Sequence, residues 1–207
     1  MVGQDSIREQ IFSRKVYSLN GIVKLALLSA IAFVLMLLEL PLPLFPAFLK
    51  LDLSDLPALI GGFALGPMAA IIVEFIKNVF HFIFKPDGTG GAGNIANFIV
   101  GISFTVPAAI VYMRNKSKEG AIRGMVIGII FKIILSSLAN YYILIPLYAK
   151  LYSMDVVMDL MTKANRFIVD VRSYVVFAVI PFNLIKAVIT SLVALLVYKK
   201  VSPILHK

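Results

Sequence analysis

Cysteine is absent, and its absence removes thiol nucleophiles, disulfides and thiolate metal sites together. Histidine is almost absent: His81 and His206 are too few and too far apart for a metal cluster. Charge is also scarce, at 15% of 207 residues against 60% hydrophobic, with a mean hydropathy of +0.93. Such a chain cannot wrap a dry core in a wetted surface, so its solvent is lipid. No Ser/His/Asp arrangement, no His-Glu-x-x-His, no acidic dyad within one apolar run and no nucleotide-binding motif occurs. The sequence therefore offers no catalytic residues, no metal site and no means of hydrolysing ATP. No cofactor is expected.

What is present is a series of apolar runs. A bilayer core of about 30 Å needs roughly 20 apolar residues per helical crossing. Runs near 21–40, 55–65, 67–84, 93–114, 121–147 and 172–198 predict an all-α, polytopic membrane protein with six transmembrane helices. The second run is short and is split from the third by Gly66-Pro67 alone. Residues 1–20 read as an amphipathic lead segment, with Ile7, Ile11 and Phe12 on one face, rather than as a signal peptide. Residues 21–198 form the membrane domain and 199–207 a basic tail.

The net charge of +9 is spread over short hydrophilic segments, which argues for topology and against nucleic acid. With six crossings one side collects Arg8, Arg14, Lys15, Lys24, Arg114, Lys116, Lys118, Arg123, Lys199, Lys200 and Lys207. The other mixes Asp52, Asp55, Asp87, Asp155, Asp159 and Asp170 with Lys50, Lys85, Lys150, Lys163, Arg166 and Arg172. The first side is cytoplasmic by the positive-inside rule, and both termini are expected there.

Three outer segments are more than simple connections. Pro41 to Pro57 is apolar yet proline-rich, so its backbone must rest on protein or line a cavity. Lys85 to Asn94 is a glycine-rich turn that lacks the Gly-Lys-Ser/Thr ending of a phosphate loop. Tyr148 to Asp170 carries Met154, Val157, Met158 and Met161 at helical spacing, as expected of a short interfacial helix.

Polar groups inside spanning helices are costly, so each is either functional or a helix-to-helix contact. Lys132, Ser136 and Asn140 recur every four residues and share a face; Lys132 either snorkels or pairs with a partner. Asn183 and Lys186, three apart, offer donors and an acceptor to a ligand with several carbonyls or a phosphate, or Lys186 pairs with Glu74 or Glu39. Asn94 and Asn97 repeat the spacing after the glycine turn, with Asn94 favoured as a helix N-cap. Glu74, Lys77 and Asn78 can support one another. Phe45, Phe48, Tyr141, Tyr142 and Tyr174 could stack on a flat ring or form an interfacial belt. Ala26 and Ala30 form a small-xxx-small pair that admits a close helix partner.

The stretch Phe45-Pro-Ala-Phe-Leu-Lys-Leu-Asp-Leu-Ser-Asp-Leu-Pro57, with Ala139-Asn-Tyr-Tyr142 and Pro181-Phe-Asn-Leu-Ile-Lys186, resembles the riboflavin-binding S components of energy-coupling factor (ECF) transporters. The resemblance runs from the first helix to the basic C-terminus. It implies a substrate-binding subunit of a prokaryotic cytoplasmic membrane, taking up riboflavin, or its phosphate ester flavin mononucleotide (FMN), as a transported ligand. It carries ligand contact to Asn140, Asn183 and Lys186, with Asn94, Asn97 and Tyr141 beside them. It gives Ala47, Phe48, Leu49 and Lys50 the role of a lid that supplies backbone contacts. Ala26 and Ala30 would dock on a membrane-embedded coupling subunit, through which two ATP-binding subunits supply energy. The alternatives are an S component for another vitamin, a membrane-embedded lipid-modifying enzyme, and a structural scaffold.

Overall fold

The computed structural model describes residues 16–86 and 90–205, with side chains through Val197. The lead segment's Ile7, Ile11 and Phe12 and the tail's charges lie outside the described residues and side chains.

The described chain is helical apart from one two-stranded hairpin. Helix α1 (Leu19–Leu37) starts where Ser18 Oγ accepts from Gly21 N at 3.1 Å, which meets one orphan N-terminal donor. A loop follows in which β1 (Leu40–Pro41) pairs antiparallel with β2 (Lys50–Leu51). Helix α2 (Asp55–Leu65) stops at Gly66, whose φ of 102° is open to glycine and strained for other residues. Pro67 then opens α3 (Pro67–Phe84) as its N1 residue, where its missing N–H costs nothing.

Beyond the glycine turn lie α4 (Ala92–Arg114) and α5 (Lys118–Ala139). A π turn at Asn140–Leu144 passes α5 directly into α6 (Ile145–Tyr152). The amphipathic α7 (Met154–Ala164) and the one-turn α8 (Val171–Tyr174) come next. A second π turn at Val175–Val179 leads into α9 (Ile180–Leu205).

Among the described residues five helical segments are long and apolar enough to cross a bilayer: 19–37, 67–84, 92–114, 118–152 and 171–197. The expected run 55–65 does form a helix, but at eleven residues it reaches roughly 16 Å at 1.5 Å per residue, about half a hydrocarbon core.

Large apolar side chains such as Leu27, Val34, Phe75, Ile83, Ile130, Ile134 and Leu192 lie exposed around the bundle, as a lipid-facing belt requires. The interior falls into three clusters. One gathers Leu59, Phe63, Phe104, Tyr112 and Met125 from α2, α4 and α5. Another gathers Leu25, Ala32, Ala58, Ala69 and Val73 from α1, α2 and α3. The last sits at the loop end, where Val157 and Met161 of α7 pack with Tyr148, Tyr174 and Val179.

The closest helix pairing is α4 with α5, and glycine permits it. A Cβ built on Gly124 would stand 2.5 Å from Ala108 O, and one on Gly128 2.5 Å from Phe104 O. Small residues four apart let the two backbones touch where lipid provides no hydrophobic drive. Gly128→Leu is therefore expected to cost about 1–3 kcal/mol as overpacking. Thermal unfolding in detergent measures it, and an unchanged transition would show that the contact yields freely.

Candidate ligand-binding site

The proline-rich loop behaves as its composition demands. It dips into the loop end of the bundle and lines a cavity. Leu49 N donates to Pro46 O at 2.8 Å, which turns the chain tightly before β2. Phe45 packs edge-on against Phe182 with ring centroids 5.5 Å apart, and Phe48 stands 5.7 Å from Tyr148 and 6.1 Å from Tyr174.

Behind the loop lie two adjoining chambers. The larger, about 350 Å³, is lined by residues including Ala47, Phe48, Lys50, Asn94, Asn97 and Tyr148. The smaller, about 100 Å³, includes Leu49, Asn140, Phe182, Asn183 and Lys186. Phe48, Lys50, Gly93, Asn97 and Tyr148 belong to both walls, so one ligand can bridge them. Aromatic faces with a few convergent polar groups are the usual make-up of a small-molecule site.

The two π turns serve this geometry. Each inserts one residue into a helix and rotates the facing of the helix beyond it, a device common at functional sites. Asn140 opens the first turn, and its Nδ2 donates to Ser136 O at 2.9 Å while its Oδ1 accepts from the Tyr174 hydroxyl at 3.1 Å. Asn183 lies just past the second turn and donates through Nδ2 to Val179 O at 2.9 Å.

Nine of the ten side chains expected at the site line one chamber or the other: Ala47, Phe48, Leu49, Lys50, Asn94, Asn97, Asn140, Asn183 and Lys186. Tyr141 lines neither. Its ring lies 4.9 Å from that of Tyr142, and it hydrogen-bonds Arg172. Asn94 is not the N-cap that its position suggests. Helix α4 begins with Gly91 as its cap, and Asn94 Oδ1 instead sits 2.9 Å from His81 Nδ1.

The floor of the smaller chamber is a network of three acids and three lysines. Lys186 Nζ donates to Asp52 Oδ2 at 2.8 Å, so its partner is neither Glu74 nor Glu39. Lys132 neither snorkels nor touches lipid: it is fully buried and donates to Asp55 Oδ2 at 2.7 Å. Lys77 donates to Asp55 Oδ1 and to Ser54 Oγ, both at 2.8 Å, and lies 2.7 Å from Glu74 Oε2. Asp52 Oδ1 in turn accepts from Ser54 N at 2.8 Å. The charge pattern of the sequence puts Asp52 and Asp55 on the outer side as topology charges. Both are instead buried as the counter-ions of in-membrane lysines, a role visible in sequence only as two acids inside an otherwise apolar loop.

At the cavity mouth Glu39 gathers a second group of charges. Lys50 Nζ and Lys85 Nζ stand 2.6 and 2.8 Å from its Oε1. Partial burial opposes the charge on Glu39, but the hydrogen bonds and positive charge of the two lysines outweigh it and hold the carboxyl below the ordinary carboxylate range.

A bundle of apolar helices enclosing a polar, aromatic-walled cavity defines a membrane protein that binds a small molecule. Residues 20–198 match the family described as ECF transporter, substrate-specific component, and the chain belongs to that family. It resembles the riboflavin transporter RibU of Staphylococcus aureus (strain TCH60), 34% identical over 186 residues, 90% of this chain and 92% of that protein. It also resembles the riboflavin transporter FmnP of Bacillus subtilis (strain 168), 36% identical over 183 residues, 88% of this chain and 92% of that one. A solved structure reported under "Structure and mechanism of the S component of a bacterial ECF transporter" superposes with a TM-score of 0.71 at 35% identity, covering 90% of this chain and 97% of the other. The chain is a transporter component and not an enzyme.

Proposed function

We propose that this protein binds riboflavin in the two adjoining chambers and delivers it across the membrane with ATP-hydrolysing partners. The observation that carries the reading is the convergence of Asn97, Asn140, Asn183 and Lys186 on a space walled by Phe48, Tyr148 and Phe182. A tricyclic ring with carbonyls and ring nitrogens along one edge meets both demands, stacking on the aromatics and hydrogen-bonding the amides and the ammonium. Two relatives that align along most of this chain carry the name riboflavin transporter, which favours a flavin over another vitamin. Riboflavin and FMN share the ring, and both fall within the proposal as ligands to be transported. Purified protein should carry or take up a yellow chromophore and quench flavin fluorescence saturably. A colourless protein indifferent to flavins would return the ligand to unknown.

The depth of α2 supports six crossings. Its first residue, Asp55, meets Lys132, fourteen residues into α5 and so roughly 20 Å along that helix. The loop therefore carries the chain part-way through the bundle before α2 begins, and eleven helical residues suffice to finish the passage. An even number of crossings puts both termini on the side rich in Lys and Arg, the cytoplasm.

Ala26 and Ala30 lie exposed on α1 beside Ile22, Val23 and Leu27. The stripe is open for a close-packing helix, which supports docking on a membrane-embedded coupling subunit that two ATP-binding subunits energise. Ala26→Trp or Ala30→Trp is expected to leave flavin affinity unchanged and to abolish co-purification with that subunit. Normal assembly in both variants would remove the stripe from the interface.

A further inference from the structure

Lys186 reaches the smaller chamber as a neutralised cation. Its Nζ donates to Asp52 Oδ2 at 2.8 Å, and both side chains are almost wholly buried. Asp52 is itself pinned, because its Oδ1 accepts from Ser54 N at 2.8 Å. The pair straddles the site, with Asp52 in the wall of the larger chamber and Lys186 in that of the smaller. An ammonium carries three donors and the acid occupies one, so the lysine still has hydrogen bonds to give. What it has lost is its surplus charge.

The rest of the floor is balanced in the same way. Asp55, which also lines the smaller chamber, takes Lys77 and Lys132, and Glu74 stands 2.7 Å from Lys77. Three acids therefore meet three lysines. At the mouth Lys50 and Lys85 share Glu39 and leave one positive charge over, but their side chains are 34% and 41% exposed and water screens them. A neutral ligand with carbonyls draws on the donors of Lys186 at no electrostatic loss. An anion sheds its water to enter a buried site where every lysine of the floor already has an acid, and it meets Asp52 and Asp55 in the walls.

We propose that Asp52 determines specificity: by neutralising Lys186 it makes the inner chamber select a neutral ring over an anionic one. This rests on the flavin reading, under which the distinction is one of oxidation state. The oxidised ring is neutral, whereas two electrons and one proton convert it to an anion whose charge lies on the edge that carries the carbonyls. The protein then takes up oxidised flavin and discriminates against the reduced form. A Lys186 without its acid would favour the anion instead.

The test binds riboflavin to purified protein in mildly alkaline buffer, oxidised in air or reduced by dithionite without oxygen, and reads the midpoint potential of the bound ring against that of free riboflavin. Wild-type protein is expected to bind the oxidised form about tenfold or more tightly, which places the bound potential about 30 mV or more below the free one. Asp52→Asn should cancel or reverse that preference. Asp52→Asn combined with Lys186→Gln, neutral again, should restore it, and Lys186→Gln alone, which leaves the acid unpaired, should give the lowest potential of all. If Asp52→Asn does not fold, the comparison of Lys186→Gln with the double variant still reads the charge of Asp52. A loss of packing weakens both forms alike and leaves the potential where it was. Equal potentials with and without the Asp52 charge, or wild-type protein that prefers the reduced form, would overturn the role of Asp52 while leaving the flavin reading in place. Wild-type protein that binds neither form would instead defeat the flavin reading itself.

Discussion

Asp55→Ala is expected to destabilise the protein by about 3–5 kcal/mol, the range for breaking a buried ion pair by removing one partner. Asp55 accepts from Lys77 and Lys132 together, and all three side chains are almost wholly buried. Its loss leaves Lys132 with no acid among the described residues and Lys77 with Glu74 alone, inside a structure whose surroundings are hydrocarbon. Thermal unfolding in detergent, read with size-exclusion chromatography, measures the effect. Adding Lys132→Met to Asp55→Ala should restore part of the loss, because the orphaned charge goes with it. A single variant as stable as the parent would mean that water reaches this network freely.

The second large effect is on ligand affinity. Lys186→Ala and Asn183→Ala are each expected to weaken flavin binding by about 1–3 kcal/mol, the cost of leaving a buried partner unpaired. The two variants should differ in stability. Lys186 is the counter-ion of Asp52, so its removal also lowers the unfolding temperature. Asn183 bonds along its own helix, to Val179 O, and its removal should leave stability nearly unchanged. Fluorescence-quenching titrations beside thermal melts separate the two contributions. Unchanged affinity in both variants would discard the assignment of these residues to the ligand.

Much of this architecture is legible in the sequence because lipid simplifies the code. Long apolar runs have one interpretation, and a polar residue inside one of them is conspicuous. Asn140, Asn183 and Lys186 stand out for that reason, and Lys132 beside them. Their partners do not. Asp52 and Asp55 occupy a loop, where acids are unremarkable, and only the descent of that loop into the bundle turns them into counter-ions of residues as far away in sequence as Lys132 and Lys186. His81 is isolated in sequence, and its relation to Asn94 depends on two helices meeting across the glycine turn. The spacing of Gly124 and Gly128 is plain in the sequence but says little alone, since close approach depends on the atoms that face them, here Ala108 O and Phe104 O. Tyr141 is the opposite case. Its position next to Asn140 invites a place at the site, yet neighbours in a helix point about 100° apart, and Tyr141 lies outside both chambers.

The proline-rich loop is moored at both ends, to the end of α1 on one side and through Asp52 and Asp55 to three spanning helices on the other. Swinging it away as a whole would strip the lysines of their acids, so the free ribbon is the stretch between the paired strands, residues 42–49. Eight residues reach about 28 Å when stretched, and a ribbon fixed at both ends can rise by no more than about half of that. Any movement of the loop is thereby confined to this ribbon, whose two moored ends hold it over the same seat against Phe182, Tyr148 and Tyr174.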